Sequence, residues 1–358
     1  MRVKLKDITK FSKGTQINGK NLIDDGAYSY LNGGINPSGK WNEFNVAENT
    51  VTISEGGNSS GYVNYMSKAF WCGAHCYYLY DGPKNSKYLY YALKSQQERL
   101  FRIRSGACMP NIKKSDLGNF IIEYEEDETR QEEVVRVLEK CELLIEDYNK
   151  KLALLDEAVR ARFVAMFGDE NNSKGWEIVN IEDVANVQVG VVIKPSQYYT
   201  DQYNGIKAFR SLNIGDGYIK DDDWVYFSKE GNKKNKKSIL STNDVLVVRS
   251  GAPGTACVVT SEYAGSNAID VIIAHPDFQK VDSRYLCTYT NMPHGKSQII
   301  EGTGGAAQQH FNVGKYNKLK LMLPPLEYQK QYVKFLEEID KSRLLSNHSL
   351  FLIKSIIF

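Results

Sequence analysis

From Thr129 to Phe167, apolar residues recur at Val134, Leu138, Cys141, Ile145, Tyr148, Leu152, Leu155, Val159 and Met166, with Arg162 in the one polar slot. Steps of four and three alternate throughout. That is a heptad seam, and no proline or glycine interrupts it. The pattern predicts one helix of roughly 60 Å, at about 1.5 Å per residue. So narrow a stripe on so long a helix calls for a second helix along its length.

The C-terminus supplies one. Gln131 returns as Gln329, Val135 as Val333, Leu138 as Leu336, Glu139 as Glu337 and Glu142 as Asp340. The second seam runs through Leu336, Ile339, Leu350, Ile353 and Ile357, with Arg343 and Ser346 in its weaker middle. A helix repeated at this period predicts a chain built twice. The segments before the helices also echo each other. Val3, Leu5, Asp7 and Ile8 resemble Ile178, Ile181, Asp183 and Val184, and the run at 49–54 resembles that at 243–249. Each run leads into a glycine-bearing loop, Gly56–Gly61 in one and Gly251–Gly254 in the other.

The expected fold class is therefore mixed α/β (α+β), with two globular domains in tandem. Residues 1–124 form the first, 125–170 the central helix, 171–325 the second and 326–358 the C-terminal helix. The two helices are expected to pack as an antiparallel coiled coil through Val134, Leu138, Cys141, Ile145, Leu152, Leu155, Leu336, Ile339, Leu350 and Ile353. Strands are expected at 3–8, 27–31, 50–54, 62–66 and along Phe70 to Tyr80. Ser86 to Arg104 reads as one helix, and Ser228 to Ser238, with its run of lysines, as a polar loop.

Composition adds an asymmetry. The net charge is +2, but residues 1–122 carry +7 and residues 123–170 carry −8. A basic globule suits an anionic partner, while the acidic helix suits protein or solvent. No apolar run is long enough to span a bilayer, and the opening alternation is unlike a signal peptide. Six irregularly placed cysteines point to reduced thiols in a cytoplasmic protein.

Catalytic signatures are missing. There is no G-x-S-x-G, no H-E-x-x-H, no G-x-G-x-x-G after a strand and no Asn/Asp-Pro-Pro-aromatic tetrapeptide. Gly14 to Asn21 falls one residue short of a phosphate loop. Cys72, His75 and Cys76 lack a fourth ligand for zinc, so the expected metal site is none. The five histidines have no acids at telling spacings. The loops after corresponding strands are more informative. Asn32, Asn36, Asn58, Ser59 and Ser60 in the first domain are side chains able to read base edges. So are Arg210, Ser211, Asn213, Arg249, Ser250 and Thr255 in the second. Lys234, within the lysine run, is a candidate phosphate contact.

In this order and duplication, the chain resembles the specificity (S) subunits of type I restriction–modification systems. The run Leu319-Lys320-Leu321-Met322-Leu323-Pro324-Pro325-Leu326-Glu327-Tyr328-Gln329 looks like that family's entry from recognition domain into helix. The first copy, at 120–131, lacks the prolines. The resemblance implies a non-enzymatic subunit that reads a split, asymmetric site on double-stranded DNA, one half per domain, with the helices as a ruler. It implies two methyltransferase (M) subunits carrying S-adenosylmethionine, and restriction (R) subunits using ATP and magnesium, with no cofactor in this chain. Two alternatives stand beside it: a type IIB-like specificity subunit, and a coiled-coil scaffold whose domains bind protein.

Overall fold

The computed structural model describes residues 1–106, 108–302 and 311–357. They form two compact units, residues 1–150 with 347–358, and residues 151–346. The division runs through both long helices.

In the first unit, β1 (Arg2–Lys4) pairs antiparallel with β9 (Ile121–Glu123). A four-stranded sheet follows the order β2 (Lys10–Lys13), β8 (Cys76–Tyr80), β5 (Thr50–Ser54), β6 (Val63–Met66). A three-stranded sheet follows β4 (Gly39–Trp41), β3 (Tyr28–Leu31), β7 (Phe70–Cys72), with β3 and β7 parallel. The helices are α1 (Leu5–Ile8), α2 (Ser86–Lys94), α3 (Gln97–Arg102), α4 (Lys114–Gly118) and α5 (Glu128–Phe167).

The second unit repeats this plan. β10 (Glu177–Asn180) pairs antiparallel with β19 (Lys320–Leu323). The larger sheet follows β11 (Ala185–Val189), β18 (Val271–Pro276), β15 (Val245–Val248), β16 (Ala256–Val258). The smaller follows β12 (Tyr199–Thr200), β14 (Val225–Phe227), β13 (Ile206–Phe209), β17 (Asn267–Ala268), with β13 and β17 parallel. Its helices are α6 (Lys229–Lys234), α7 (Ser283–Asn291), α8 (Pro293–Gly302), α9 (Val313–Asn317) and α10 (Leu326–Ile357). Strand for strand the sheets match, with β12 added. β15 is apolar at every position and wholly buried, as a strand covered on both faces should be.

The duplication extends to single backbone contacts. Gly14 follows β2, donates to the Cys76 carbonyl and leads to Thr15, which donates to Cys72 at 2.9 Å. Gly190 follows β11, donates to Val271 and leads to Val191, which donates to Ala268 at 2.7 Å. A Cβ on Gly14 would sit 1.9 Å from the Cys72 carbonyl oxygen, and one on Gly190 2.4 Å from that of Ala268. Backbone cannot yield as a flexible side chain can. Gly190→Ala is therefore expected to cost about 1–3 kcal/mol by overpacking, read as a lowered denaturant midpoint with an unchanged slope.

Several expectations change. The stretch from Phe70 to Tyr80 is two strands in different sheets, joined by a turn at 73–75, so Cys72 and Cys76 do not share one strand face. Both thiols are buried in the core. The helix expected over Ser86 to Arg104 breaks between α2 and α3. There the Gln97 amide accepts from Val63 N at 3.0 Å and donates to Gly61 O at 2.6 Å, which pins the start of α3 to the start of β6. The lysine-rich loop contains helix α6. Ser228 caps it, its Oγ accepting from Gly231 N at 3.0 Å, and Lys233 and Lys234 lie in the last turn, where the helix dipole favours cations.

The seam on α5 is also adjusted. Val134 is exposed, and Val135 with the buried Gln131 takes the inward positions. Leu138, Ile145, Tyr148, Leu152 and Leu155 are half-buried and Cys141 is buried, as placed from sequence. At the far end Phe163 and Phe167 are fully buried, whereas Arg162 is exposed with its guanidinium 5.9 Å from the Phe335 ring. On α10, Leu336, Ile339, Ser346 and Leu350 are buried and Ile353 is half-buried; the Ile357 side chain lies outside the described residues. Within the second unit the helices run antiparallel. Tyr332 Oη donates to Val159 O at 3.3 Å, and Arg343 binds Asp156 at 2.5 Å.

Candidate nucleic-acid interface

The loops singled out from sequence stand at the ends of corresponding strands in the two units. In the first, the loop after β3 meets the loop after β5. Ser59 Oγ donates to Gly33 O at 2.6 Å, Ser54 Oγ also donates to Gly33 O, and Asn64 Nδ2 donates to Gly34 O at 3.4 Å. Asn32 Oδ1 accepts from His75 N at 3.3 Å, bringing in the β7–β8 turn. The segment after α3 closes the group: Gly57 N donates to Pro110 O at 2.9 Å and Ile112 N to Glu55 O at 2.9 Å.

Of the first-unit candidates, Asn36 and Asn58 are exposed at loop tips, and Asn32 and Ser59 are half-buried. Ser60 is a correction. It is fully buried, with Oγ donating to Glu55 O at 2.7 Å, and it holds the loop's shape from inside.

In the second unit the equivalent loops follow β13 and β15. Asn213 is likewise a correction, being fully buried. Its Oδ1 accepts from Arg210 N at 2.9 Å and its Nδ2 donates to Asp222 O at 2.8 Å, so it too is a loop brace. Arg210 pairs with Asp223 at 3.1 Å, and Lys207 with Asp221 at 2.6 Å. The Lys207 hydrogen bond is the main cause holding the Asp221 carboxyl below its usual range. Ser211, Ser250 and Thr255 are half-buried. Lys234 is exposed on α6, its ammonium 5.9 Å from the Tyr198 ring. Arg249 is mostly covered. Its Nε donates to Phe311 O at 3.1 Å and its Nη1 binds Asp270 Oδ1 at 2.7 Å.

Sequence reasoning missed two acid–histidine pairs because their members, in or beside different strands, are far apart in the chain. His75 Nδ1 lies 3.5 Å from Glu55 Oε2, and Lys13 also binds Glu55. His275 Nδ1 lies 2.6 Å from Asp244 Oδ1, and its other ring nitrogen meets the Gln188 amide at 2.8 Å. A histidine whose second nitrogen faces an amide has no nucleophile to activate. Among the described residues, no group of three or more His, Cys, Asp or Glu side chains is placed to hold a metal ion, and no helix is long and apolar enough to cross a membrane.

The scaffold is built twice and presents polar loops at equivalent strand ends. The chain belongs to the family described as the type I restriction modification DNA specificity domain, which matches residues 1–156 and 173–353. It is 37% identical over 204 residues to a putative type I specificity subunit of Mycoplasma pneumoniae, covering 54% of this chain and 53% of that protein. A second, from Mycoplasma genitalium, is 31% identical over 202 residues, covering 52% and 51%. The chain thus spans about half the length of the curated relatives it matches. Its fold is that of the crystal structure of a type I restriction-modification S subunit from M. genitalium, with a TM-score of 0.62 at 19% identity, covering 100% of this chain and 93% of that one. A structure from work on assembly and conformational transition of the type I system has a TM-score of 0.56 at 14% identity, covering 100% and 95%.

Proposed function

We propose that this chain is the DNA sequence-specificity subunit of a type I restriction–modification complex and is itself non-catalytic. It reads a bipartite, asymmetric site on double-stranded DNA, one half per globular unit. The long helices fix the gap between half-sites and dock two methyltransferase subunits. S-adenosylmethionine belongs to those subunits, and ATP and magnesium to restriction subunits of the larger complex. The observation that carries this reading is one topology built twice with different residues on equivalent loops, in a chain of the specificity family. Shared scaffolds fix how two modules approach a duplex; unlike loops read unlike bases.

The test is co-expression with the neighbouring methyltransferase gene, followed by sequencing of methylated bases in host DNA. A split motif with different half-sites, methylated on adenine in each, is expected. Removing one heptad, residues 144–150, is expected to change the spacer length and leave both half-sites intact. A stable complex that binds DNA without sequence preference would overturn the proposal. Altered half-site bases after the heptad deletion would overturn the ruler.

A further inference from the structure

The two units share, at the same strand register, a covered side chain paired with an exposed one. Ser54 of β5 lies opposite Cys76 of β8, and Val248 of β15 lies opposite Val271 of β18. One step beyond each central strand stand Glu55 and Arg249. One step before each neighbouring strand stand His75 and Asp270. The residue after the central strand is covered in both, with side-chain exposure of 17% for Glu55 and 14% for Arg249. Its partner faces out in both, at 62% for His75 and 40% for Asp270. The covered member is anchored a second time, Glu55 by Lys13 and Arg249 by the Phe311 carbonyl. Even the backbone matches, since Ile112 N donates to Glu55 O at 2.9 Å and Phe311 N to Arg249 O at 3.2 Å. What differs is polarity. The first unit shows an imidazole held by a carboxylate, the second a carboxylate held by a guanidinium.

On the reading given above, we infer that Asp270 and His75 are the base-reading residues of the two units, and that Arg249 and Glu55 are positioning residues behind them. A carboxylate only accepts hydrogen bonds, and in the major groove it is satisfied by an exocyclic amino group, cytosine N4 above all. It gains nothing from phosphate, which repels it, so an outward acid on a DNA-facing end serves discrimination and not general affinity. Arg249 fixes the Asp270 side chain through Oδ1 and offsets part of that repulsion. The inverted pair in the first unit places an imidazole at the same position, so the half-sites differ there.

The test uses the complex with its methyltransferase partner and duplexes carrying each base at each position of the mapped site. Asp270 has φ +50°, a left-handed conformation that glycine and asparagine adopt readily, so Asp270→Gly and Asp270→Asn remove the carboxylate without backbone strain. The wild type is expected to require an amino-bearing base, cytosine first, at one position of one half-site. Asp270→Gly is expected to lose roughly tenfold or more of the discrimination at that position alone, while binding to unrelated DNA tightens. Asp270→Asn is expected to shift the preference toward adenine, which an amide pairs in bidentate fashion. His75→Ala is expected to relax one position of the other half-site only. Uniform weakening on all sequences, or unchanged discrimination by a folded Asp270→Gly complex, would overturn the inference with the function intact. A wild-type complex without any sequence preference would overturn both.

Discussion

Replacing Phe163 by alanine is expected to cost the second unit about 3–5 kcal/mol, the range for removing a fully buried aromatic ring. Phe163 has no exposed surface. Its ring stacks on Tyr285 at 5.8 Å and meets Phe167 at 4.9 Å, His294 at 5.3 Å, Tyr332 at 5.5 Å and Tyr289 at 6.3 Å. These partners come from α5, α7, α8 and α10, so the ring joins the end of one long helix to the start of the other through the body of the unit. Such a hub does not collapse easily, because each neighbour is fixed elsewhere. Tyr285 Oη donates to Met322 O at 2.7 Å, and His294 meets the Gly168 carbonyl at 3.1 Å. Burial pushes the Tyr285 hydroxyl well above its ordinary pKa, as expected for a ring sealed from water. The measurement is denaturant unfolding of the purified complex-forming chain, followed by Trp176, whose indole donates to Phe167 O at 3.0 Å. A change below about 1 kcal/mol would show that the cluster repacks and that the helices are held mainly by their seam.

Phe163 also marks where sequence reading stopped working. Along 135–159 the helix buries one narrow stripe, and a heptad count finds it. Beyond Val159 the helix enters a globular core, and burial widens to Phe163, Met166 and Phe167. A strict seam then selects Arg162, one position off, because the partner is no longer a single helix. At the other end the inward slot ahead of Val135 is filled by a polar residue, Gln131, so an apolar count falls on Val134 instead. The duplication was legible because helices and central strands reuse similar residues. The pairing of Glu55 with His75 and of Arg249 with Asp270 was not, since each joins residues about twenty apart through strand register that no local pattern encodes. The buried Ser60 and Asn213 looked like loop-tip readers for a related reason. Short polar side chains suit both solvent and the inside of a tight turn, and only the closed loop separates the two.

The second large effect is expected at Gln329, a polar residue with no exposed surface at the start of α10. Its Oε1 accepts from Asp282 N at 2.8 Å, and its Nε2 donates to Lys280 O at 3.1 Å and Pro324 O at 2.8 Å. Every bond is to backbone, and two reach the segment that caps α7, where Asp282 Oδ1 accepts from Arg284 N at 2.8 Å. Gln329→Leu keeps much of the volume but removes the partner of one donor and two acceptors, of which the Pro324 carbonyl is buried and the Asp282 N–H and Lys280 carbonyl are part-buried. At about 1–3 kcal/mol for the fully stranded carbonyl, and less for each of the two groups that water reaches, a loss of roughly 2–5 kcal/mol follows. Its repeat partner Gln131 provides the comparison. Gln131 Nε2 donates to Glu125 O at 2.6 Å and to Tyr124 Oη at 3.1 Å, both just ahead of its own helix. Gln131→Leu strands fewer groups, and the Tyr124 hydroxyl can rotate, so a loss of roughly half that size is expected. Equal losses at the two positions would mean that the shared helix-start motif sets the energy. The predicted inequality would mean that Gln329 stabilises by tying α10 to the body of its unit, the link that the proposed function requires if the helix is to carry position as well as shape.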